Sequence, residues 1–493
     1  MSEERTGSPE SLGDSGAGDG PHPTGPKHGS IGLPDTAMLH QTQRVRHLSD
    51  PVNISANHSI PVQADRQVPS SQTWRVRGVP TNMDKEGLAT LLQRHLDLQR
   101  PSNDTSDNIG DIGGRSDGGN DNGAWVHTMA PDPRRDQVAT VRFRHVPTRL
   151  RTLERSDQIT INVTSFVNKH ASSNQGPSSA PTVKLVIDRH FNGITVLFSP
   201  PSNEHNINVL AVPGLGGHPF GSFVHKGDGH MWLSDNLPRD MPTARVMIYG
   251  YESGLHNSTS FAALDDLAGS LRLDICRLLR SGEQKSLVLV GHSLGGLLIK
   301  VALVQMAESD SELDLVCRIF GGLFFGVPND GMDIESLIPM VSDQPNRLLL
   351  ESLNAMNSQV LGLQRTNFAK FLGKTAFELF CFYETRLSPT AAWVSGRSEP
   401  DYQLVQCLIS CQNPGTGRYE MKGTPRCLVT TASATSCLLP GSSSDHSAEL
   451  PRTHSELVKF AAHDSDYDKV SYVLSRMYQS CTGASSTGQG KLR

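Results

Sequence analysis

The chain has 493 residues, a length that suggests two or three domains, and 19% of them are charged for a net charge of −5. That balance gives no global pull toward nucleic acid or an anionic membrane. The eight cysteines form no CxxC pair and no Cys/His cluster with zinc spacing, so neither a metal nor another cofactor is expected.

The start, MSEERTGSPE, has no apolar core of a secretory signal, and no run of about 18 apolar residues is long enough to span a membrane. These features lead one to expect an intracellular protein with reduced thiols. Residues 1–72, rich in Gly, Ser, Pro, His and Asp, read as a disordered tail.

Residues 73–150 read as a small αβ module. Residues 74–79 alternate as a strand that Pro80 ends, and Asp84 caps a helix with a stripe of Leu88, Leu91, Leu92 and Leu96. A Gly/Asn/Asp-rich insertion over 101–136 reads as loop. Residues 137–144 form a second strand with Ala139, Val141 and Phe143 inward. This β-α-β pattern suits a ferredoxin-like unit. Arg75, Arg77, Arg142 and Arg144 would share one face, but Trp74 and Phe143 alone do not make the stacking platform that RNA recognition needs. No nucleic acid partner is expected.

Residues 151–182 read as linker. From 183 to 480 the texture is that of alternating strands and helices, which implies a mostly parallel sheet covered on both faces. Short β-rich runs at 183–187 and 194–198 come first. Strands follow at 207–212, 245–249, 287–290, 319–325 and 377–382, with 427–431 as the last plausible core strand. A helix with Leu264, Leu267, Leu271, Ile275 and Leu278 on one face lies between the second and third of these. The Leu-rich stretch 348–371 reads as a helix that serves the core or forms a lid. Residues 481–493 read as a flexible tail.

The chemistry gathers in this second region. GHSLG at 291–295 matches G-x-S-x-G, with a buried strand running in and an apolar helix running out. Such a turn presents the hydroxyl of Ser293 at the carboxyl edge of a sheet, as a nucleophile. The glycine-rich VPGLGG at 212–217 ends an earlier strand, so an oxyanion would meet the N–H of Leu215 or Gly216 together with that of Leu294. The fold's order of Ser, acid, His places the base downstream of the last strand. His454, at the start of what reads as an amphipathic helix, is the first choice ahead of His446 and His463. For the acid, Glu384 at the end of the strand near 377–383 leads, followed by Asp401 and then Asp445.

These residues resemble a known family. FNGIT (191–195), GLGGHPFGS (214–222), MWLSDNLP (231–238), ARVMIYGY (244–251), GHSLGGL (291–297), GLFFGVP (322–328), FYET (382–385) and HSELVKF (454–460) are similar, in order and spacing, to blocks of the serine-active-site-containing lipase-like hydrolases, fungal members in particular. The resemblance implies an α/β-hydrolase fold and a serine esterase or lipase acting on lipid or ester substrates. It also implies phospholipid remodelling, a place at mitochondria or the endoplasmic reticulum, and peripheral membrane association. The chain departs from the family at Pro213, where a His is usual, and at Asn329, where Thr-Pro-His is usual. The alternative reading is a hydrolase fold kept as a non-catalytic interaction or signalling module.

Overall fold

The computed structural model describes residues 72–96, 123–132, 136–151, 153, 157–164, 182–255, 258–281, 284–355, 359–395, 417–441 and 445–486. Asp401 and nearly all of the tail over 1–72 lie outside these residues.

Two sheets organise the chain. The first is antiparallel throughout, with spatial order β2-β3-β1-β5-β4. Its strands are β1 (Thr73–Val79), β2 (Ala124–Pro131), β3 (Gln137–Phe143), β4 (Gln158–Thr164) and β5 (Thr182–Asp188). The helix Lys85–His95 packs Leu88, Ala89, Leu91 and Leu92 beneath it, and the Asp84 carboxylate caps that helix by accepting the N–H of Gly87 at 2.8 Å. The β-α-β-β-α-β order, with β5 beside β1, is ferredoxin-like, and β4 adds an edge strand.

This sheet corrects three expectations. The stretch read as insertion loop contains β2, whose Ala124, Val126, Thr128 and Ala130 alternate inward. The stretch read as linker contains β4. The run at 183–187, assigned to the second region, is β5 and belongs to the first sheet.

The second sheet has the order β14-β11-β10-β9-β7-β8-β6. In chain order its strands are β6 (Gly193–Phe198), β7 (Ile207–Val212), β8 (Ala244–Gly250), β9 (Ser286–His292), β10 (Ile319–Phe325) and β11 (Glu378–Glu384). A separate antiparallel hairpin of β12 (Ser388–Ser395) and β13 (Gly417–Arg426) precedes β14 (Ser447–Leu450). All pairings in the seven-stranded sheet are parallel except β6 with β8.

Every residue of β7 is buried, because both faces are covered. On one face Leu210, Val212, Leu287 and Leu289 meet the helices Leu264–Arg280, Leu294–Ala307 and Gln359–Lys374. On the other, Val209, Ala211, Val288 and Val290 meet Trp232 and the helix Ser465–Ser486. That last helix runs into the stretch read as a flexible tail, and Cys481 is part of its buried face. The Leu-rich stretch 348–371 is not one helix: Arg347–Glu351 and Gln359–Lys374 are separate, and Leu361, Phe368 and Phe371 of the second belong to the core.

The first sheet packs on the second. β2 and β3 lie against the edge strand β6, and Ala130 and Val138 join the larger core. An open sheet edge is thereby covered. The arginine-bearing face is the one that docks. Arg75 is buried, with its Nε and Nη2 donating to Asp188 at 3.1 and 3.0 Å and its Nη1 to Thr195 Oγ1 at 2.9 Å. Arg142 is buried with its guanidinium 5.6 Å from the Phe220 ring.

Candidate active site

Parallel strands bring their carboxyl ends to one edge, and the candidate residues collect there. Ser293 follows β9 directly and holds φ 51° and ψ −124°, a conformation rare for a residue with a Cβ. Such a conformation costs on the order of 1–3 kcal/mol. It is held by two backbone bonds: the Ser293 N–H donates to Phe325 O and the Gly296 N–H to Ser293 O, each at 3.0 Å. The flanking glycines are steric necessities. A Cβ on Gly291 would come within 2.6 Å of Gly296 Cα, and one on Gly295 within 2.4 Å of the Val212 and Pro213 carbonyls.

Three side chains form one hydrogen-bonded line. Ser293 Oγ lies 2.9 Å from Nε2 of His454, and His454 Nδ1 lies 2.5 Å from Oε2 of Glu384. All three residues are buried. A carboxylate only accepts, so Nδ1 carries the proton and Nε2 offers a lone pair to the serine hydroxyl. Glu384 ends β11, and its second oxygen accepts the N–H groups of Leu428 and Val429 at 3.2 and 3.1 Å.

His454 does not open a helix. It sits in a single 3-10 turn, His454–Glu456, four residues after β14 ends. The long helix begins only at Ser465, because residues 457–460 are drawn into the core beside Trp232, whose Nε1 donates to Val458 O at 3.0 Å. The other two histidines are elsewhere. His446 precedes β14, at the amino end of that strand, with Nδ1 3.0 Å from Leu379 O, and His463 is exposed. Asp445 lies beside His446, so Glu384 is the carboxylate that reaches His454. Residues 427–431 are not a strand; they form the loop whose amides hold Glu384 and then cap the helix Thr431–Thr435.

The glycine-rich loop after β7 faces Ser293. Gly214 comes so close that an added Cβ would lie 2.9 Å from Ser293 Cβ. The Tyr251 hydroxyl donates to Pro213 O at 2.8 Å and pins the loop. The Gly216 N–H donates to Ser253 O at 2.8 Å, so it is already committed and cannot serve an oxyanion. Leu215 and Leu294 have no such bond at their N–H among the described residues, and Leu215 lines the cleft. Of the two departures from the resembled family, Asn329 acquires a structural role here: it is buried and its Nδ2 donates to Val327 O, Ser433 O and Ala434 O at 3.1 Å each; Pro213 meets Tyr251 only through its backbone carbonyl.

Sequence reasoning missed His292. Its Nε2 donates to the backbone oxygen of His454 at 3.0 Å and ties the base loop to the serine turn. Burial, followed by the neighbouring His454 and Lys459, holds its pKa well below the usual histidine value, so it stays neutral. The only available signal was its place beside Ser293.

A cleft opens over Ser293 and His454. Its walls are mainly apolar, with Leu215, Leu255, Met332, Leu337, Met421 and Leu428, the methionine coming from β13. No group of three or more His, Cys, Asp or Glu residues that could hold a metal ion occurs among the described residues.

A mostly parallel sheet with a strand–Ser–helix turn, an acid at the end of β11 and a histidine after the last strand is the α/β-hydrolase fold. No protein-family model matches the chain. Among curated proteins it is similar to Protein SERAC1 of Bos taurus, with 24% identity over 226 residues, covering 41% of this chain and 34% of that protein. The chain therefore spans about a third of the length of that relative. Among solved structures it is similar to the mature lipase BlEst2 of Bacillus licheniformis (13% identity, 54% of this chain, 92% of that one, TM-score 0.30). It is also similar to the lin2722 product of Listeria innocua (16% identity, 55% of this chain, 94% of that one, TM-score 0.32).

Proposed function

We propose that the protein is a serine hydrolase that cleaves or transfers the acyl group of carboxylic esters, with lipid esters as the substrate class. The observation that carries this reading is the line Ser293–His454–Glu384 at the floor of an apolar cleft. Ser293 Oγ attacks the ester carbonyl while His454 Nε2 takes the hydroxyl proton, and Glu384 keeps the imidazole oriented and stabilises its charged form. The N–H groups of Leu215 and Leu294 receive the oxyanion. His454 then returns the proton to the leaving alkoxide. Water or an alcohol acceptor, activated by the same histidine, releases the acyl group from Ser293.

The apolar walls support an acyl chain as the bound part of the substrate. Phospholipid remodelling and peripheral association with mitochondrial or endoplasmic reticulum membranes are the finer proposal. They rest on the lipase-like family resemblance. No helix among the described residues is long and apolar enough to cross a membrane. Hydrolysis of p-nitrophenyl esters of increasing chain length tests the reading. Turnover that rises with acyl length and disappears in Ser293→Ala supports it; no turnover of any ester by the folded protein argues for a non-catalytic module.

A further inference from the structure

Away from the serine, a second group of reactive side chains is buried under the same strands. The sulfurs of Cys381 and Cys437 lie 3.7 Å apart, and both residues are buried. Cys381 is on β11, three positions before Glu384. Cys437 follows the helix Thr431–Thr435.

Beside them Lys300 of the helix Leu294–Ala307 is 1% exposed. Its Nζ donates to Asn329 Oδ1 at 2.7 Å and lies 5.5 Å from the Phe368 ring centre. The groups that can offset its charge are the two thiols and Asp330, and Asp330 is itself paired with Arg365. Burial lowers the Lys300 pKa while the thiols and Asp330 raise it, so its charged form gains from an anion next to it. The hydrogen bond from Cys381, helped by Lys300, holds the Cys437 thiol below its usual range; the same bond and burial push Cys381 well above it. The two sulfurs thus differ in tendency: Cys437 gives up its proton more readily than Cys381 beside it.

We propose that Cys381 and Cys437 are a redox-sensitive pair that hydrogen peroxide converts to a disulfide, tying the strand that carries Glu384 to the segment that follows its amide cradle. In the first step the Cys437 sulfur attacks one peroxide oxygen. The O–O bond breaks, a sulfenic acid forms, and the hydroxide released takes up the proton Cys437 had given away. In the second step the Cys381 sulfur attacks the sulfenic sulfur, the S–S bond forms, and the S–O bond breaks to release water that carries the Cys381 proton. Two thiols lose two electrons and one peroxide becomes two waters. The sulfurs must close from 3.7 Å to about 2.05 Å, between the middle of β11 and a short loop.

The test uses the full chain treated with hydrogen peroxide, then alkylated, digested and mapped by mass spectrometry. The expected product joins the peptides bearing Cys381 and Cys437, two hydrogens lighter than their sum, and dithiothreitol reverses it. Cys437→Ala abolishes the link, and Lys300→Met slows its formation. Cys317 and Cys427 are exposed and report that oxidant was present. Recovery of Cys381 and Cys437 as free thiols while Cys317 and Cys427 are oxidised would overturn the proposal, as would a link from either to another cysteine. Wild type alone gives the decisive reading, so a variant that fails to fold leaves the test intact. None of these readouts depends on ester turnover.

Discussion

The Glu384 carboxylate meets Nδ1 of His454 at 2.5 Å while its other oxygen is held by two backbone amides from the 427–431 loop. The acid is therefore fixed from both sides and imposes one imidazole tautomer. Replacing Glu384 by Gln keeps the shape but allows the amide to present an N–H to Nδ1. The expected result is a fall in kcat of about 10³–10⁴ with the melting temperature nearly unchanged, read from ester hydrolysis and thermal unfolding. A loss of less than about tenfold would show that Glu384 does not orient the base.

The oxyanion loop makes a steric prediction. An alanine at Gly214 places a methyl group 2.9 Å from Ser293 Cβ and 3.0 Å from His292 Nδ1. Either the loop or the serine turn must move. Gly214→Ala is expected to lower kcat by about 10²–10³, the scale of one lost oxyanion donor, with a smaller effect on KM. Full activity in that variant would mean that the loop takes no part in the reaction.

His292 gives the stability a pH dependence of definite sign. Its pKa in the folded chain lies well below the ordinary value of about 6.5 that it recovers on unfolding. Below pH 6.5 the unfolded chain binds the proton more readily, so stability rises with pH there and falls as the solution is acidified. The slope from this one group reaches at most about 1.4 kcal/mol per pH unit. Urea unfolding between pH 5 and 7 of wild type and His292→Gln measures it; equal slopes in the two proteins would remove His292 as the cause.

Arg75 and Asp188 are both buried where the first sheet docks on the second. Asp188 also pairs with Arg77 at 3.1 Å, so the partner whose removal leaves a buried charge uncompensated is Asp188, at a cost of about 3–5 kcal/mol. Asp188→Ala is expected to lose that much in urea unfolding, and a loss under about 1 kcal/mol would mean the interface is wet. Because Arg75 and Arg142 of the arginine face are buried, the full chain should not show salt-sensitive binding of single-stranded RNA, which a filter-binding titration checks.

Much of this site was legible in the sequence, for reasons particular residues make plain. Ser293 could be found because the run 287–290 is apolar enough to be a strand buried on both faces and the glycines beside it are forced by contact. Glu384 could be found because it ends an equally apolar strand.

The last strand was not legible. Ser447–Leu450 is four residues long and buries only Leu450 fully, while the apolar run at 427–429 has the composition of a strand and is a loop in which only Val429 is buried. Gly216 was an equal candidate with Leu215 until the carbonyl of Ser253, 37 residues away, was seen to occupy its N–H. The strands β2 and β4 were hidden next to Gly/Asn- and Ser-rich segments whose composition dominated the reading.

The central claim is that Ser293 is activated by His454. A fluorophosphonate probe labels serines made nucleophilic by an adjacent base and stabilised by an oxyanion site. It would be applied to the folded wild type, Ser293→Ala and His454→Ala. Labelling of the wild type at Ser293 and of neither variant is expected. Absence of labelling in the folded wild type, or labelling that survives in Ser293→Ala, would contradict it.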